Sequence, residues 1–385
     1  MKLLALYLPQ FHQIKENDEW WGEGFTEWVN VKKALPLFEG HRQPRVPLNN
    51  NYYNLLQKET LIQQTELAKK YGIYGFCVYH YWFKGHLLLE KPMEIFLENK
   101  DIDLPICFCW ANEHWTNAWV SGQNKILIEQ DFEDRQDWIN HFNYLLPFFK
   151  DERYIKEENK PLFVIYFPNI IGPLKELMEC WNKLAIENGF DGIKFVFQHH
   201  LFYTDKKEKN RRELFDYGVQ FQPSLSITRI YNKQSFFSLN FRTKISLFLQ
   251  KRLHIYKKQK RKELRKFDYD ELWKDSLSLK PSNEKYVTIP GCFVDWDNTS
   301  RRGINGSCVI NHSINKFENY FDQFVKNTKK YYETDWAFIF SWNEWAEGGY
   351  LEPDEHNKHQ YLEKIHDILE KNGELPEYEK NKIKI

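Results

Sequence analysis

Two glutamates near the C-terminus, Glu344 and Glu347, have the residue type and the spacing for acid–base chemistry. They stand in the string WAFIFSWNEWAEGGYLEPD, where an apolar run predicts a strand that leads directly to both acids. The flanking Trp342 and Trp345 would exclude water, which raises the pKa of a carboxyl group, and flat rings of this kind stack on sugars. The pattern indicates acid–base work on a sugar. The alternative is an exposed turn with two solvated acids.

Composition narrows the class of ligand. The chain has 385 residues, with 54 basic and 54 acidic side chains, so its formal net charge of zero argues against a nucleic-acid or polyanion binder. Aromatic residues make up 17% of the chain. That is more ring surface than a core requires, and it favours a ligand with flat apolar faces, such as a carbohydrate, a lipid or a nucleobase.

The N-terminus and the cysteines bear on location. The opening MKLLALYLPQFHQ is interrupted at Pro9-Gln10, so we expect a first strand and not a signal peptide. No apolar stretch is long enough for a transmembrane helix. The six cysteines, among them Cys77, Cys107 and Cys109 in predicted strands, are expected to be buried free thiols in a reducing compartment. We therefore expect a cytoplasmic protein.

Short apolar runs alternate with amphipathic stretches along the whole chain. The predicted strands are 3–8, 73–81, 105–111, 161–167, 193–199, 217–222, 286–294 and 336–342. The predicted helices are 61–71, 138–149, 173–188 and 314–332, followed by a last helix that carries Leu362, Ile365 and Leu369. Eight strands alternating with helices predict an α/β fold with a single (β/α)8 TIM barrel, whose active site lies at the carboxyl ends of the strands. An open doubly wound sheet is the competitor, but no Gly-rich phosphate loop follows any strand. We expect one catalytic barrel over 1–372, a basic helical insertion around 236–284, and a tail over 373–385.

Polar and aromatic residues follow several of the predicted strands, where a barrel would bring them to one rim. The candidate substrate-binding residues are His80, Tyr81, Trp82, Trp110, Asn112, Glu113, Trp115, His199, Asp295, Asp297, Asn298 and Arg301, with Trp342, Asn343, Trp345 and Tyr350 around the two glutamates and Trp21, Glu27 and Trp28 in the first loop. For Glu113 the alternative is a structural ion pair, for Asn343 a strand-end cap, and for the first-loop rings a satellite hydrophobic cluster.

The pattern D-W-D-N at 295–298 raises the question of a cation, because carboxylate oxygens are ligands for Ca²⁺ and Mg²⁺. It lacks the glycine turn and the distal glutamate of a calcium loop, so we expect sugar hydroxyls as partners, and neither a metal nor a cofactor.

A basic stretch departs from the rest of the chain. Between 242 and 266 there are eleven Lys or Arg residues and one acid, Glu263, and apolar residues fall at helical spacing. This pattern is typical of a barrel helix with a solvated outer face. The alternative is a surface helix, 241–266, that rests on an anionic membrane and holds the protein near a lipid-linked substrate at the inner membrane.

The strings YLPQFHQIKENDEWWGEGFTEWVNV, YGIYGFCVYHYWF, LPICFCWANEHWT, DWDNTSRR and SWNEWAEGGYLEPD together resemble the WbsX-like proteins. That bacterial family is associated with O-antigen and capsule polysaccharide gene clusters, and the resemblance runs from residue 3 to about residue 369. WbsX-like proteins are in turn similar to the endo-α-mannosidases of glycoside hydrolase family 99, which are (β/α)8 barrels. In those enzymes an N-E-W-x-E motif after the last strand carries both catalytic carboxylates.

The resemblance implies roles for both glutamates. Glu344 would deprotonate the 2-hydroxyl of the substrate, which then attacks the anomeric carbon. Glu347 would protonate the departing oxygen and later activate water or an alcohol, giving retention without a covalent link to the protein, unlike the standard retaining scheme. Ala346 stands where the hydrolases have histidine, so the sugar does not carry over.

The function implied is a retaining, endo-glycosidase-like enzyme of bacterial surface polysaccharide metabolism. Its partner would be an oligosaccharide or a lipid-linked glycan. The alternatives are a glycosyltransferase of O-antigen or lipopolysaccharide biosynthesis and a non-catalytic glycan-binding barrel.

Overall fold

The computed structural model describes residues 1–116, 126–198, 210–238 and 263–378, without the side chains of 234–238. Nine strands form the main sheet of this part of the chain. They are β1 (Lys2–Tyr7), β2 (Gly75–Phe83), β3 (Ile106–Trp110), β4 (Lys160–Ile165), β5 (Lys194–Gln198), β6 (Tyr217–Val219), β7 (Val287–Ile289), β8 (Gly291–Phe293) and β9 (Trp336–Phe340). Most of their residues are buried, as expected for parallel strands covered on both faces.

The main sheet is parallel and nearly closed. Its order is β7-β6-β5-β4-β3-β2-β1-β9-β8, and only Pro290 separates the two strands at its ends. The predicted barrel-like parallel sheet is confirmed, but the count of eight is not. Proline has no backbone N–H to give to a ladder, and the single strand predicted over 286–294 is divided at Pro290.

Helices alternate with these strands, and the predicted helices are confirmed with small shifts of their ends. The helices are α1 (Lys15–Trp21), α2 (Glu27–Lys33), α3 (Lys58–Lys70), α4 (Lys91–Glu98), α5 (Arg135–Lys150), α6 (Leu174–Glu187), α7 (Ser224–Ser238), α8 (Tyr269–Ser278), α9 (Thr299–Arg302), α10 (Ile314–Tyr331) and α11 (Gln360–Lys371). Helix α10 shows why such segments form. The Ser313 hydroxyl accepts from the Lys316 N–H at its start, and its phenylalanines are buried on one face.

Short elements decorate the loops between the main strands. Two-residue or three-residue ribbons pair His86–Leu88 with β2, Trp115–Thr116 with Ile126–Ile128, Lys156–Glu157 with β4, and Asn343–Glu344 with Gly349–Tyr350. Strands Arg265–Asp268 and Ser307–Ile310 form a separate parallel pair. Single 3-10 turns occur at Leu48–Asn50, Pro168–Ile170, Gly303–Asn305 and Trp345–Glu347.

Several expectations about location and layout can be compared with this fold. All six cysteines are buried free thiols, as predicted. Within the described ranges, no helix has the length and apolar character needed to cross a membrane. The predicted basic helix at 241–266 lies mostly outside the described residues, and so does His199. The division into a barrel over 1–372, an insertion around 236–284 and a tail stays a prediction.

Candidate active site

One guanidinium group holds three glutamates beyond the carboxyl ends of the main strands. Arg301 donates from Nη2 to Glu344 Oε1 at 2.7 Å, from Nη1 to Glu347 Oε1 at 2.7 Å, and from Nε to Glu27 Oε1 at 2.9 Å. The arginine side chain is 4% exposed, and those of Glu27 and Glu344 are 3% and 7% exposed. We call Glu27, Arg301, Glu344 and Glu347 the carboxylate cluster.

Local backbone geometry brings the two motif glutamates to this arginine. Glu344 lies in a two-residue strand that follows β9, and Glu347 ends the 3-10 turn Trp345–Glu347. Gly348 then adopts a left-handed φ of 66°, and a Cβ there would stand 2.9 Å from the backbone nitrogen of Asp297. Only glycine fits both conditions, and the turn lets Gly349–Tyr350 pair back with Asn343–Glu344.

The charge balance of the carboxylate cluster favours protonation. Burial raises the pKa of Glu344 to about 8, with Glu347 and Glu27 adding to the rise and Arg301 opposing it. Burial also raises the pKa of Glu347, and the charges of Arg301 and, to a smaller extent, Arg302 oppose the rise. Three carboxylates contact one arginine, which leaves an excess of negative charge and favours the protonated form of the motif glutamates. A carboxyl group that is protonated at neutral pH is what general acid catalysis requires.

Tyrosines from the strand ends adjoin the cluster. Burial raises the pKa of Tyr79, Tyr81 and Tyr166, and the charge of Glu344 adds to the rise for each. For Tyr166 the charges of Glu113 and Glu347 contribute as well. The sequence reasoning named Tyr81 but missed the other two. Tyr79 stands two residues before Tyr81 in β2, and Tyr166 directly follows β4, so strand alternation and the rim position were the available signals.

Glu113 was also expected at this rim. Its side chain is exposed, yet the surrounding protein removes enough water to raise the pKa of its carboxyl group. Its charge is one of those that act on Tyr166. Glu113 and the two motif glutamates therefore act on the same tyrosine hydroxyl.

Trp342 and Trp345 support the motif from inside. Their side chains are fully buried, and both indole N–H groups donate to Glu352, at 3.1 Å from Trp342 and 2.6 Å from Trp345. Tyr53 and Gln64 also donate to this carboxylate, at 2.8 and 2.6 Å. Trp342 and Trp345 were expected to stack on a sugar. In the structure both rings are buried by the surrounding core residues. Glu352, which the sequence reasoning missed, anchors both.

Asn343 is likewise engaged by the protein. Its Oδ1 accepts from the Leu8 N–H at 2.7 Å, and its Nδ2 donates to the Leu8 carbonyl at 3.0 Å. Tyr350 stacks on Trp345 with 3.8 Å between ring centroids and donates from its hydroxyl to Asp354 at 2.7 Å. These contacts fix the turn that carries the glutamates.

A second acidic group lies next to the carboxylate cluster. Asp297 Oδ2 is 2.8 Å from both His41 Nε2 and Gln43 Nε2, and Arg45 donates to Asp295 at 2.9 Å. Burial alone would raise the pKa of Asp297, but hydrogen bonds from His41 and Thr299 and the charge of Arg45 lower it to about 2. We call His41, Gln43, Arg45, Asp295 and Asp297 the Asp297 cluster.

The Asp297 cluster is occupied by protein contacts. Burial would also raise the pKa of Asp295, but the charges of His312 and Arg45 lower it. Asn298 continues the pattern, because its side-chain oxygen accepts from the Ser307 N–H at 2.8 Å. The two aspartates and Asn298 were expected to meet sugar hydroxyls; the structure shows them engaged in holding loops together.

The predicted site residues His80 and Trp82 in β2 and Trp110 at the end of β3 are buried in the core. His80 Nε2 is 2.9 Å from His141 Nε2, and burial lowers the pKa of His80 to about 3. Trp82 donates to Asp137 at 3.1 Å, and Trp110 to the Trp82 carbonyl at 3.3 Å. These side chains pack behind the rim.

Of the other predicted rim and first-loop residues, some are buried in contacts that hold the protein together and one remains partly exposed. Asn112 exchanges two hydrogen bonds of 2.8 Å with the backbone of Phe167, which joins the ends of β3 and β4. Trp115 is buried beside Tyr81, while Trp28 is buried and donates to the Tyr53 carbonyl at 2.8 Å. Trp21 is half-buried and keeps accessible ring surface.

Comparison with known proteins places the chain in a family. The sequence model of the family described as glycosyltransferase WbsX matches residues 3–365. The chain belongs to this family. The predicted family is thus confirmed.

Two relatives of this WbsX-family chain are both named uncharacterized protein WxcX. They come from the strains B100 and ATCC 33913 of Xanthomonas campestris pv. campestris, and each is 32% identical over 372 residues. The alignment covers 95% of this chain but 49% of each relative, so the chain spans about half the length of these relatives.

Solved structures show where the fold recurs. The GH99 endo-α-mannosidase from Bacteroides thetaiotaomicron, in complex with bis-tris-propane, has a TM-score of 0.54 at 14% identity, with 96% of both chains covered. A glycoside hydrolase-like protein has a TM-score of 0.55 at 12% identity, covering 95% of this chain and 93% of that one. At such low identity the likeness concerns the fold alone.

Proposed function

We propose that this WbsX-family protein is a retaining carbohydrate-active enzyme that uses Glu344 and Glu347 at a glycosidic bond of a bacterial surface polysaccharide. The observation that carries the proposal is the carboxylate cluster. A single buried arginine contacts two acids of raised pKa, and the charge of one of them, Glu344, acts on Tyr79, Tyr81 and Tyr166. A GH99 endo-α-mannosidase of similar fold supports endo-glycosidase chemistry and makes mannosides the first substrates to test.

In the first step Glu344 accepts the proton of the 2-hydroxyl, and the 2-oxygen attacks the anomeric carbon. The glycosidic C–O bond breaks, and Glu347 gives its proton to the departing oxygen. In the second step Glu347 takes a proton from water or an alcohol, whose oxygen attacks the anomeric carbon. The bond between that carbon and the 2-oxygen breaks, and the proton on Glu344 returns to the 2-oxygen. Two inversions at the same carbon give retention.

Arg301 and the shared proton explain how Glu344 can be ionised and Glu347 protonated before the reaction begins. The free pair holds a proton that burial favours, and Arg301 contacts both carboxyls. A 2-hydroxyl that donates to Glu344 stabilises the ionised form of that residue, since hydrogen bonds to a carboxylate lower its pKa. The proton then resides on Glu347, where the leaving oxygen needs it.

The test uses two families of oligosaccharide glycosides, with poor and with good leaving groups. Glu347→Gln is expected to lower turnover by about 10²–10⁴-fold on poor leaving groups, which need protonation, and far less on a dinitrophenyl glycoside. Glu344→Gln should lower turnover on both. Glu363→Gln, an exposed glutamate of α11, is the matched control and should leave turnover unchanged.

NMR of the first-formed product gives its anomeric configuration. Inversion, or equal losses for Glu347→Gln on both leaving groups, would reject these roles.

The second candidate is glycosyl transfer from an activated donor, which the family description favours. It differs in the acceptor and the leaving group. Incubation with a panel of nucleotide sugars and an acceptor oligosaccharide, with and without Mg²⁺ or Mn²⁺, separates the two. Net sugar transfer that depends on one nucleotide donor, with no hydrolysis of glycosides, would replace hydrolysis by transfer as the activity.

A further inference from the structure

A cavity lies beside the segment that carries the catalytic motif, between α3 and the loop around Leu48–Asn50. Its volume is about 550 Å³, within the usual range for a small-molecule site. Trp345 and Glu352 form part of its wall. Among the described residues that line it there is no member of the carboxylate cluster. We call it the asparagine pocket.

Four side-chain amides at this cavity are available for a ligand. Asn49, Asn50, Asn51 and Gln63 line it and are exposed, and in the described part of the chain their side chains form no hydrogen bond to protein. Each amide presents both a donor and an acceptor. A sugar hydroxyl also donates and accepts, so an array of free amides is a good match for several hydroxyls on one ring.

The single acid in the wall does not call for a cation. Glu352 accepts four hydrogen bonds, from Tyr53, Gln64 and the two motif tryptophans. An ionised carboxylate has about four lone-pair sites, so its capacity is filled by the protein. The remaining lining is amide, hydroxyl or apolar, with leucine and proline side chains beside the amides. This lining favours a neutral ligand with both hydroxyl groups and apolar faces.

The loop that carries the asparagines is held in one conformation. Asn49 and Asn50 have φ values of 58° and 55°, in the left-handed region that few non-glycine residues adopt. The Leu48 N–H donates to the Pro353 carbonyl at 2.9 Å, and the Asn49 N–H to Glu355 Oε1 at 2.6 Å. Successive residues in this region are kept only where their surroundings impose it, and such positions cluster at binding sites. The loop is therefore pre-organised.

We propose that the asparagine pocket binds a neutral sugar unit of the glycan, remote from the unit that reacts. The assignment of a glycan rests on the proposed function, and the neutral, hydroxyl-rich character of the ligand rests on the pocket. Because Trp345 belongs both to the pocket wall and to the catalytic motif, the pocket adjoins the segment that carries Glu344 and Glu347. The pocket would thus lower KM for long substrates.

The experiment measures binding of methyl glycosides of mannose, glucose, galactose and N-acetylglucosamine by saturation-transfer NMR, with glucuronic acid and glucosamine as charged comparisons. Binding of at least one neutral glycoside is expected in the full chain and in Glu347→Gln. The double variant Asn50→Ala/Gln63→Ala should weaken it at least tenfold. The matched control is Asn319→Ala/Gln323→Ala, which removes two exposed amides from α10 and should leave binding unchanged.

Kinetics gives the second measurement. The pocket variant should raise KM for oligosaccharides at least tenfold, leave kcat unchanged, and leave the turnover of a short glycoside unaffected. The idea is overturned by the absence of any neutral-sugar signal, by stronger binding of a charged sugar, or by signals that survive the pocket variant. Loss of turnover in Glu347→Gln tests the catalytic proposal separately, since it does not alter the pocket.

Discussion

The carboxylate cluster and the Asp297 cluster adjoin each other, yet their acids respond to burial in opposite ways. The Asp297 N–H donates to the Glu347 carbonyl at 2.6 Å, so the two groups are linked directly through the backbone. Burial raises the pKa of Glu344 to about 8. The pKa of Asp297 falls to about 2 although burial opposes the fall.

The two clusters differ in the number of hydrogen-bond donors available to each carboxylate. Asp297 receives hydrogen bonds from His41, Gln43 and Thr299 in addition to the charge of Arg45. In the carboxylate cluster one guanidinium is divided among three acids. A saturated carboxylate contributes to the fold, whereas an under-compensated one keeps a proton that chemistry can use.

Removal of Arg301 is expected to have the largest effect on the carboxylate cluster. Arg301→Met leaves three buried carboxyls without their cation, and we expect a loss of about 3–5 kcal/mol in unfolding free energy at pH 7. Part of that loss should be recovered at pH 5, because protonation of the glutamates removes the repulsion. Denaturant unfolding at both pH values measures the effect.

Arg302→Met is the control for that change, because Arg302 is exposed on the same short helix. We expect a change within about 0.5 kcal/mol for this surface position. If both variants lose the same stability, Arg301 does not hold the cluster together.

Asp297→Asn tests the carboxylate whose hydrogen bonds are all satisfied by the protein. An amide cannot accept from all the groups that surround Asp297, and its NH₂ would face donors, so we expect a loss of about 1–3 kcal/mol at pH 7. The pKa of this aspartate is lowered on folding, so its contribution is complete above the unfolded pKa of about 3.9 and is lost as the pH falls through about 2.

The loss of stability in Asp297→Asn, relative to the wild type, should therefore become smaller as the pH falls. Unfolding curves between pH 2 and pH 7 test this, with the exposed Asp367→Asn as a matched control. A constant deficit across that range would contradict the lowered pKa.

Much of the fold could be predicted because apolar runs decide it. Eight strand segments and the long helices were found from periodicity, and the position of Glu344 and Glu347 just past a strand followed from one string. The strand count failed at Pro290, where a missing N–H interrupts an otherwise continuous apolar segment.

The internal arrangement of the site could not be predicted to the same extent. A buried tryptophan and an exposed one have the same sequence signal, and only tertiary contacts show that Trp342 and Trp345 donate to Glu352. Arg301 was expected to bind substrate, but it joins the motif glutamates to Glu27, which is 274 residues away from Arg301 in the chain. Side-chain pairing over such separations depends on loop paths that local pattern does not encode.

Glu344→Gln should change the stability in the opposite direction to Asp297→Asn, although both variants replace a buried acid by its amide. The amide resembles the protonated form that burial favours at Glu344, so the variant should equal or exceed the wild type in stability at pH 8, by about 0.5–2 kcal/mol. Turnover should be lost at the same time. Thermal unfolding and a glycoside assay on the same preparation measure both effects, and a destabilised Glu344→Gln at pH 8 would refute the raised pKa.

The smallest effect in the series is a pH slope of stability. A carboxyl group whose pKa is raised by folding binds its proton more tightly in the native state, so stability declines as the pH rises from the unfolded value of about 4.3 through about 8. The wild type should show this decline, and Glu344→Gln should show a shallower one, since Glu347 still contributes. Because Asp297 is fully ionised over this interval, Asp297→Asn should keep the wild-type slope. Equal slopes in all three proteins would mean that Glu344 takes up no proton on folding, which would reject the raised pKa of this residue.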